Sequence, residues 1–194
     1  MNGFYFLVAE ETEGSDYIYL DDDRVPDELK RGCRNSEFQF IDPEITVLTA
    51  DPESGNSLPD FICDGRNDVP LISERMKSVF DSLNVRFIFY QRIRIIKNSD
   101  GLSENYWLAV PPRIDCLVRD KKDKKDKKDK SVIDEMWNKA KKIVIDRDKT
   151  GNCDIFKISG VANNEIIISS RLKNALEKQK VTKGFYMLDD PNLE

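Results

Sequence analysis

Leu71-Ile72-Ser73-Glu74-Arg75-Met76-Lys77 and Ile167-Ile168-Ser169-Ser170-Arg171-Leu172-Lys173 are the two stretches that decide how this chain folds. Each opens with an apolar pair, turns at a serine, and then sets an arginine, an apolar residue and a lysine at the same steps. The offset between them is a constant 96 residues. After Ser73, the residues Met76, Val79, Phe80 and Leu83 recur at helical spacing, which predicts a one-faced amphipathic helix. A serine just before such a run can accept the orphan amide hydrogens of the first turn, so Ser73 reads as an N-cap. Ser169 stands in the same relation to Leu172, Ala175 and Leu176. Val85 and Val181 follow the two helices at matching positions, and Asp60-Phe61-Ile62 and Asp154-Ile155-Phe156 precede them. Two explanations fit: a duplicated strand–helix–strand unit, or two unrelated helices that share ordinary capping chemistry. Under either, Arg75 and Arg171 are expected to brace their helices against a sheet or to face water, not to bind a ligand.

Working outward, Phe87–Ile96, Tyr106–Val110 and Ile114–Val118 read as strands, the last two separated by Pro111-Pro112. Ile143–Asp146 and Asp154–Ile158 are expected to pair as a hairpin around Lys149-Thr150-Gly151-Asn152, and Phe185–Leu188 forms the last strand. Toward the N-terminus, Phe4–Ala9 and Tyr17–Leu20 are expected to pair across a turn holding Gly14 and Ser15. A helical turn is predicted at Asp27–Arg31. Strands are predicted at Phe38–Ile41 and Ile45–Thr49, broken by Asp42-Pro43, and a loop at Ala50–Pro59. The class is therefore α+β, with a mostly antiparallel sheet and two similar amphipathic helices. Residues 1–59 form an acidic N-terminal region expected to pack on the same core as residues 60–194. Within the latter, residues 120–131 enclose KKDKKDKKDK, a run with no apolar side chain that is expected to be a solvated loop insertion.

Composition removes whole classes of chemistry. The chain has no histidine, so Ser-His-Asp and Cys-His catalysis and His-bearing zinc sites are excluded. Its four cysteines, Cys33, Cys63, Cys116 and Cys153, form no CxxC pair and read as reduced, largely buried thiols. The nine glycines make no phosphate-binding loop. Acidic runs at Asp21-Asp22-Asp23, Asp51–Glu53 and Asp189-Asp190 have the character of solvated turns, because consecutive side chains on a strand point to opposite faces. No catalytic residue, metal or cofactor is expected. Phe4, Phe6, Trp107, Trp137, Phe156 and Met187 are expected in the core. The short apolar start and the lack of any long apolar run predict a cytoplasmic protein with no membrane partner.

The net charge of −5 conceals an asymmetry. Residues 1–70 hold 17 acidic and 5 basic side chains, while residues 71–194 hold 19 acidic and 26 basic. An acidic N-terminal part repels nucleic acid and suits a basic protein partner. The aspartates of KKDKKDKKDK and its lack of a stacking aromatic argue against nucleic-acid binding there too.

Three phrases, PLISERMKSVFDSLNVRFIFYQ, YWLAVPPRIDCLV and DIFKISGVANNEIIISSRLKNALEKQKVTKGFYM, resemble a bacterial immunity-protein family of polymorphic toxin systems, of myxobacterial type. The likeness covers about residues 60–188 and rests on Ile114-Asp115-Cys116, on Asp154-Ile155-Phe156 and on the Ser-x-Arg-apolar-Lys helix start followed by Phe185. Residues 1–59 carry no matching motif, which suits a region that varies with the toxin. The resemblance implies a binding protein that neutralises a cognate toxin by direct contact and supplies no catalytic residues. Toxins that cleave nucleic acid tend to be basic, so Asp21, Asp22, Asp23, Asp27 and Glu28 are the expected toxin contacts. An adaptor or structural protein without a toxin is the alternative, followed by a metal-dependent hydrolase working through Asp and Glu.

Overall fold

The computed structural model describes residues 3–10, 16–63, 68–99, 101–118, 144–160 and 165–189. The Lys/Asp-rich tract, Trp137 and Asp190 lie outside them. Among the described residues the elements run in the order β1 (Phe4–Ala9), α1 (Asp27–Asn35), β2 (Val47–Thr49), β3 (Phe61–Ile62), β4 (Leu71–Ser73) and α2 (Glu74–Ser82). Then come β5 (Phe89–Lys97), β6 (Leu102–Val110), β7 (Arg113–Ile114), β8 (Ile155–Ile158), β9 (Ile166–Ser169), α3 (Ser170–Lys178) and β10 (Phe185–Leu188). The strands form two five-stranded sheets, in the orders β2-β5-β6-β4-β3 and β10-β1-β9-β8-β7. Pairing is antiparallel except between β2 and β5 and between β7 and β8. The α+β class with antiparallel pairing thus holds, spread over two sheets.

The duplication is written into this topology. The run β5-β6-β4-β3 matches β10-β1-β9-β8 strand for strand, with Phe89 and Phe185 at equivalent places 96 residues apart. In the first unit β6 follows β5 directly. In the second, β1, the first strand in the chain, takes the position that β6 holds in its counterpart. This explains why β1 does not pair with Tyr17–Leu20 as expected. Phe4 and Phe6 bury on one face of the sheet and Leu7 on the other, and both edges of β1 are taken by β9 and β10. Tyr17 instead bridges Ser57, and Leu20 bridges Ala50.

A central core joins α2, α3 and the inner faces of both sheets through Ile72, Met76, Val79, Phe80, Ile168, Leu172 and Leu176. Period-2 alternation sends Leu71 and Ile167, the neighbours of Ile72 and Ile168, to the outer faces. On the outer face of the first sheet α1 covers a second core through Leu29 and Cys33, and Ile18, Leu20 and Val25 join it. Helix α1 runs to Asn35, beyond the single turn expected, and its C-terminal end is tied to the second unit. The buried Lys157 ammonium donates to the Cys33 carbonyl at 3.1 Å, and the Arg113 guanidinium donates to the Arg34 carbonyl at 3.0 and 2.6 Å. Cations suit a helix C-terminus because the last carbonyls lack intrahelical partners.

Two further expectations are corrected. Phe38–Phe40 is a 3-10 turn, not a strand, because Phe38 stacks on Phe89 with ring centroids 5.5 Å apart. Ile145 pairs with Leu117, not with Asp154–Ile158; β8 has all four residues buried and sits between β9 and β7. Part of the expected hairpin, Ile143, lies outside the described residues.

Candidate docking site between the two repeats

The serines cap their helices as the spacing predicts. Ser73 Oγ accepts from the Met76 amide at 3.1 Å, and Ser169 Oγ accepts from the Leu172 amide at 3.2 Å. Each hydroxyl in turn donates to a buried carboxylate on the strand before it: Ser73 to Asp60 at 2.8 Å, Ser169 to Asp154 at 2.7 Å. The arginine two residues on completes each cluster. Arg171 grips Asp154 through Nε at 2.9 Å and through Nη2 to the other oxygen, while Arg75 Nη1 approaches Asp60 at 3.5 Å. Each guanidinium also crosses to the opposite helix. Arg75 Nη2 donates to the Lys180 carbonyl at 2.9 Å, and Arg171 Nη1 donates to the Leu83 carbonyl at 3.3 Å. Those carbonyls belong to the C-terminal turns, closed by Asn84 and Lys180 in the left-handed region. The bracing expected of Arg75 and Arg171 is therefore reciprocal: each unit fastens the other's helix end.

The duplication extends to the exposed faces. Lys77 pairs with Asp81 and lies over the Trp107 ring on β6, and Lys173 pairs with Glu177 and lies over Tyr5, which holds the place of Trp107 on β1. A shared capping preference explains neither the reciprocal arginine contacts nor the matching strand order, both of which favour a repeated unit.

The symmetry breaks at one place. In the first unit the connection after α3 folds back on Asp60: the Lys183 amide donates to Asp60 Oδ2 at 3.2 Å, and the Asp60 amide donates to the Lys183 carbonyl at 2.8 Å. Phe87 occupies the equivalent position in the other connection, and among the described residues no hydrogen bond joins it to Asp154. The result is a groove of about 750 Å³ bordered by Arg86, Phe87, Arg147, Asn152 and Arg171, with Asp154 at its floor. Phe87 is 65% exposed and adopts φ +67°, a conformation that bulky side chains rarely take. Arg86 and Arg147 have no carboxylate partner among the described residues, although Arg147 lies over the Phe4 ring at 5.6 Å. Nothing in the local sequence marks this groove; a phenylalanine in the helix–strand connection, where its counterpart is Lys183, is the nearest signal.

The expected toxin contacts lie elsewhere, around a 3-10 turn and the start of α1. Asp21 is paired with Arg24 at 3.0 Å and Asp22 with Lys30 at 2.9 Å. Asp23, Asp27 and Glu28 are exposed and carry no ion pair among the described residues. The structure brings none of the five to the groove's lining.

Among the described residues no group of three acidic, cysteine or histidine side chains is disposed to hold a metal. Burial pushes the Cys33 thiol up to about 12 and the Cys116 thiol to about 11, so both stay protonated and poorly nucleophilic at neutral pH. No helix among the described residues is long and apolar enough to cross a membrane.

A family model described as an immunity protein family (Imm11) matches residues 9–187. The match reaches some fifty residues further toward the N-terminus than the motif resemblance, and takes in α1 and β2. No curated protein matches the chain.

Proposed function

Because the chain belongs to the Imm11 immunity protein family, we propose that it neutralises a cognate toxin by direct protein–protein contact, in the cytoplasm and without catalysis of its own. The observation that carries this reading is the extent of the family match, which takes in α1, the first repeat unit and all of the second but most of β1 and the last residue of β10. The architecture supports it. Two sheets and two helices are tied together by reciprocal arginine contacts, and a surface that is already ordered binds without a large ordering cost. A domain of this size can offer the roughly 800 Å² per partner that a stable interface needs.

The acidic segment contributes steering. Asp23, Asp27 and Glu28, which have no ion pair among the described residues, offer charge to a basic toxin face, whereas Asp21 and Asp22 are partly neutralised by Arg24 and Lys30. Rim charges of this kind act chiefly on association rate and are screened by salt. Co-expression of the chain with the toxin encoded by the adjacent reading frame, scored by survival, tests the function directly. Cells that die equally with and without this protein would refute it. Charge reversal at Asp23, Asp27 and Glu28 is expected to slow association at low salt, and an unchanged rate would remove the steering role.

A further inference from the structure

We infer that the open groove beside Asp154 is where the toxin is gripped, and that its occupant is an acidic loop of the toxin bearing an apolar side chain. The inference rests on the immunity reading above and deepens it by naming the surface. The chain contains its own control for this groove. The connection 181–184 of the second repeat hydrogen-bonds to Asp60 of the first and closes the place beside it. The equivalent connection of the first repeat, carrying Arg86 and Phe87, makes no hydrogen bond to Asp154 of the second among the described residues, and the space beside it is bordered by cationic side chains. Arg171 is committed to Asp154, but Arg86 and Arg147 are exposed and have no acidic partner among the described residues. Guanidinium groups without an acidic partner among the described residues select carboxylates, which they can engage with paired hydrogen bonds. Phe87 is the most exposed large apolar side chain recorded in the described residues, held at a backbone angle that only a surrounding structure can maintain. An aromatic ring flanked by arginines has the composition of an interface centre, where such residues dominate binding.

The test measures binding of the purified toxin domain from the adjacent reading frame to the intact chain and to two variants. Arg86→Glu/Arg147→Glu is expected to weaken binding at least 100-fold. Phe87→Gly keeps the positive φ without strain, removes the ring, and is expected to weaken binding at least 10-fold. If the double charge reversal does not fold by circular dichroism, Arg86→Gln/Arg147→Gln replaces it, with a loss of at least 10-fold expected. Variants that bind within 2-fold of the unaltered protein, while that protein still binds and protects, overturn the groove and leave the immunity role standing. An unaltered protein that neither binds nor protects overturns both. A single-stranded 20-mer DNA bound at 150 mM salt by the unaltered chain, and lost with the charge reversal, assigns the groove to nucleic acid and overturns the inference as well.

Discussion

Asp154→Asn loosens the Arg171 side of the reciprocal bracing, because the amide keeps the carboxylate's shape but removes its charge and turns one of its two acceptor oxygens into a donor. Asp154 is 7% exposed and accepts from Ser169 and from two nitrogens of Arg171. Charge-assisted bonds contribute about 1.5–3 kcal/mol when buried. The Arg171 side chain is 55% exposed, however, so water competes for it and the loss falls to about 1–2 kcal/mol. For a chain of this length that corresponds to a drop in Tm of roughly 2–8 °C. Urea denaturation of Asp154→Asn, Arg171→Ala and the double variant should give a coupling energy of about 1 kcal/mol. The same cycle on Asp60→Asn and Arg75→Ala should give less than about 0.5 kcal/mol, because that guanidinium stands 3.5 Å away and the Lys183 amide shares the carboxylate. Equal coupling in the two units, or none in the second, would refute the reasoning that bond geometry distinguishes the two clusters.

Three other outcomes follow from the packing. Phe80→Ala, at a site with no exposed surface in the central core, should cost about 3–5 kcal/mol in chemical denaturation, and Phe40→Ala, 43% exposed, much less. Gly184→Ala should destabilise by at least about 1–3 kcal/mol, since its φ is +76° and a Cβ there would meet Pro59 Cβ at 2.3 Å; a neutral result would show that the connection closing over Asp60 is not tightly packed. Burial lowers the folded-state pKa of Lys157 below its ordinary value, so between the two values the unfolded chain holds the extra proton and stability rises with pH. The stability difference between the natural protein and Lys157→Met should therefore shift in favour of the natural protein from pH 7 to pH 10, and a flat difference would contradict the burial argument.

The two capped helices, their buried stripes and the repeat of 96 residues were legible because each depends on contacts within about one helical turn. Most strands were legible for a similar reason, since apolar runs between prolines and acidic turns have few alternatives. Their partners were not. The Tyr17–Leu20 pairing failed because a plausible turn says nothing about a strand whose two faces are both buried, and β1 meets β9 and β10 more than 150 residues away in sequence. Phe38–Phe40 failed because a stacking contact with Phe89, distant in sequence, outweighed the local strand preference. For the candidate site, Asp21 and Asp22 could be read as acidic but not as already paired with Arg24 and Lys30.

What the amino-acid order determined by itself was therefore a set of local units: capped helices, apolar strands, a doubled motif, and a histidine-free inventory suited to binding. Tertiary structure alone decided that the first strand completes the second unit, that each arginine fastens the other unit's helix, and that one of two related places is closed while its twin stays open. The physical reason is range. Caps and periodicity act over three or four residues, whereas sheet partners and groove walls arise only when the core buries segments from opposite ends of the chain together.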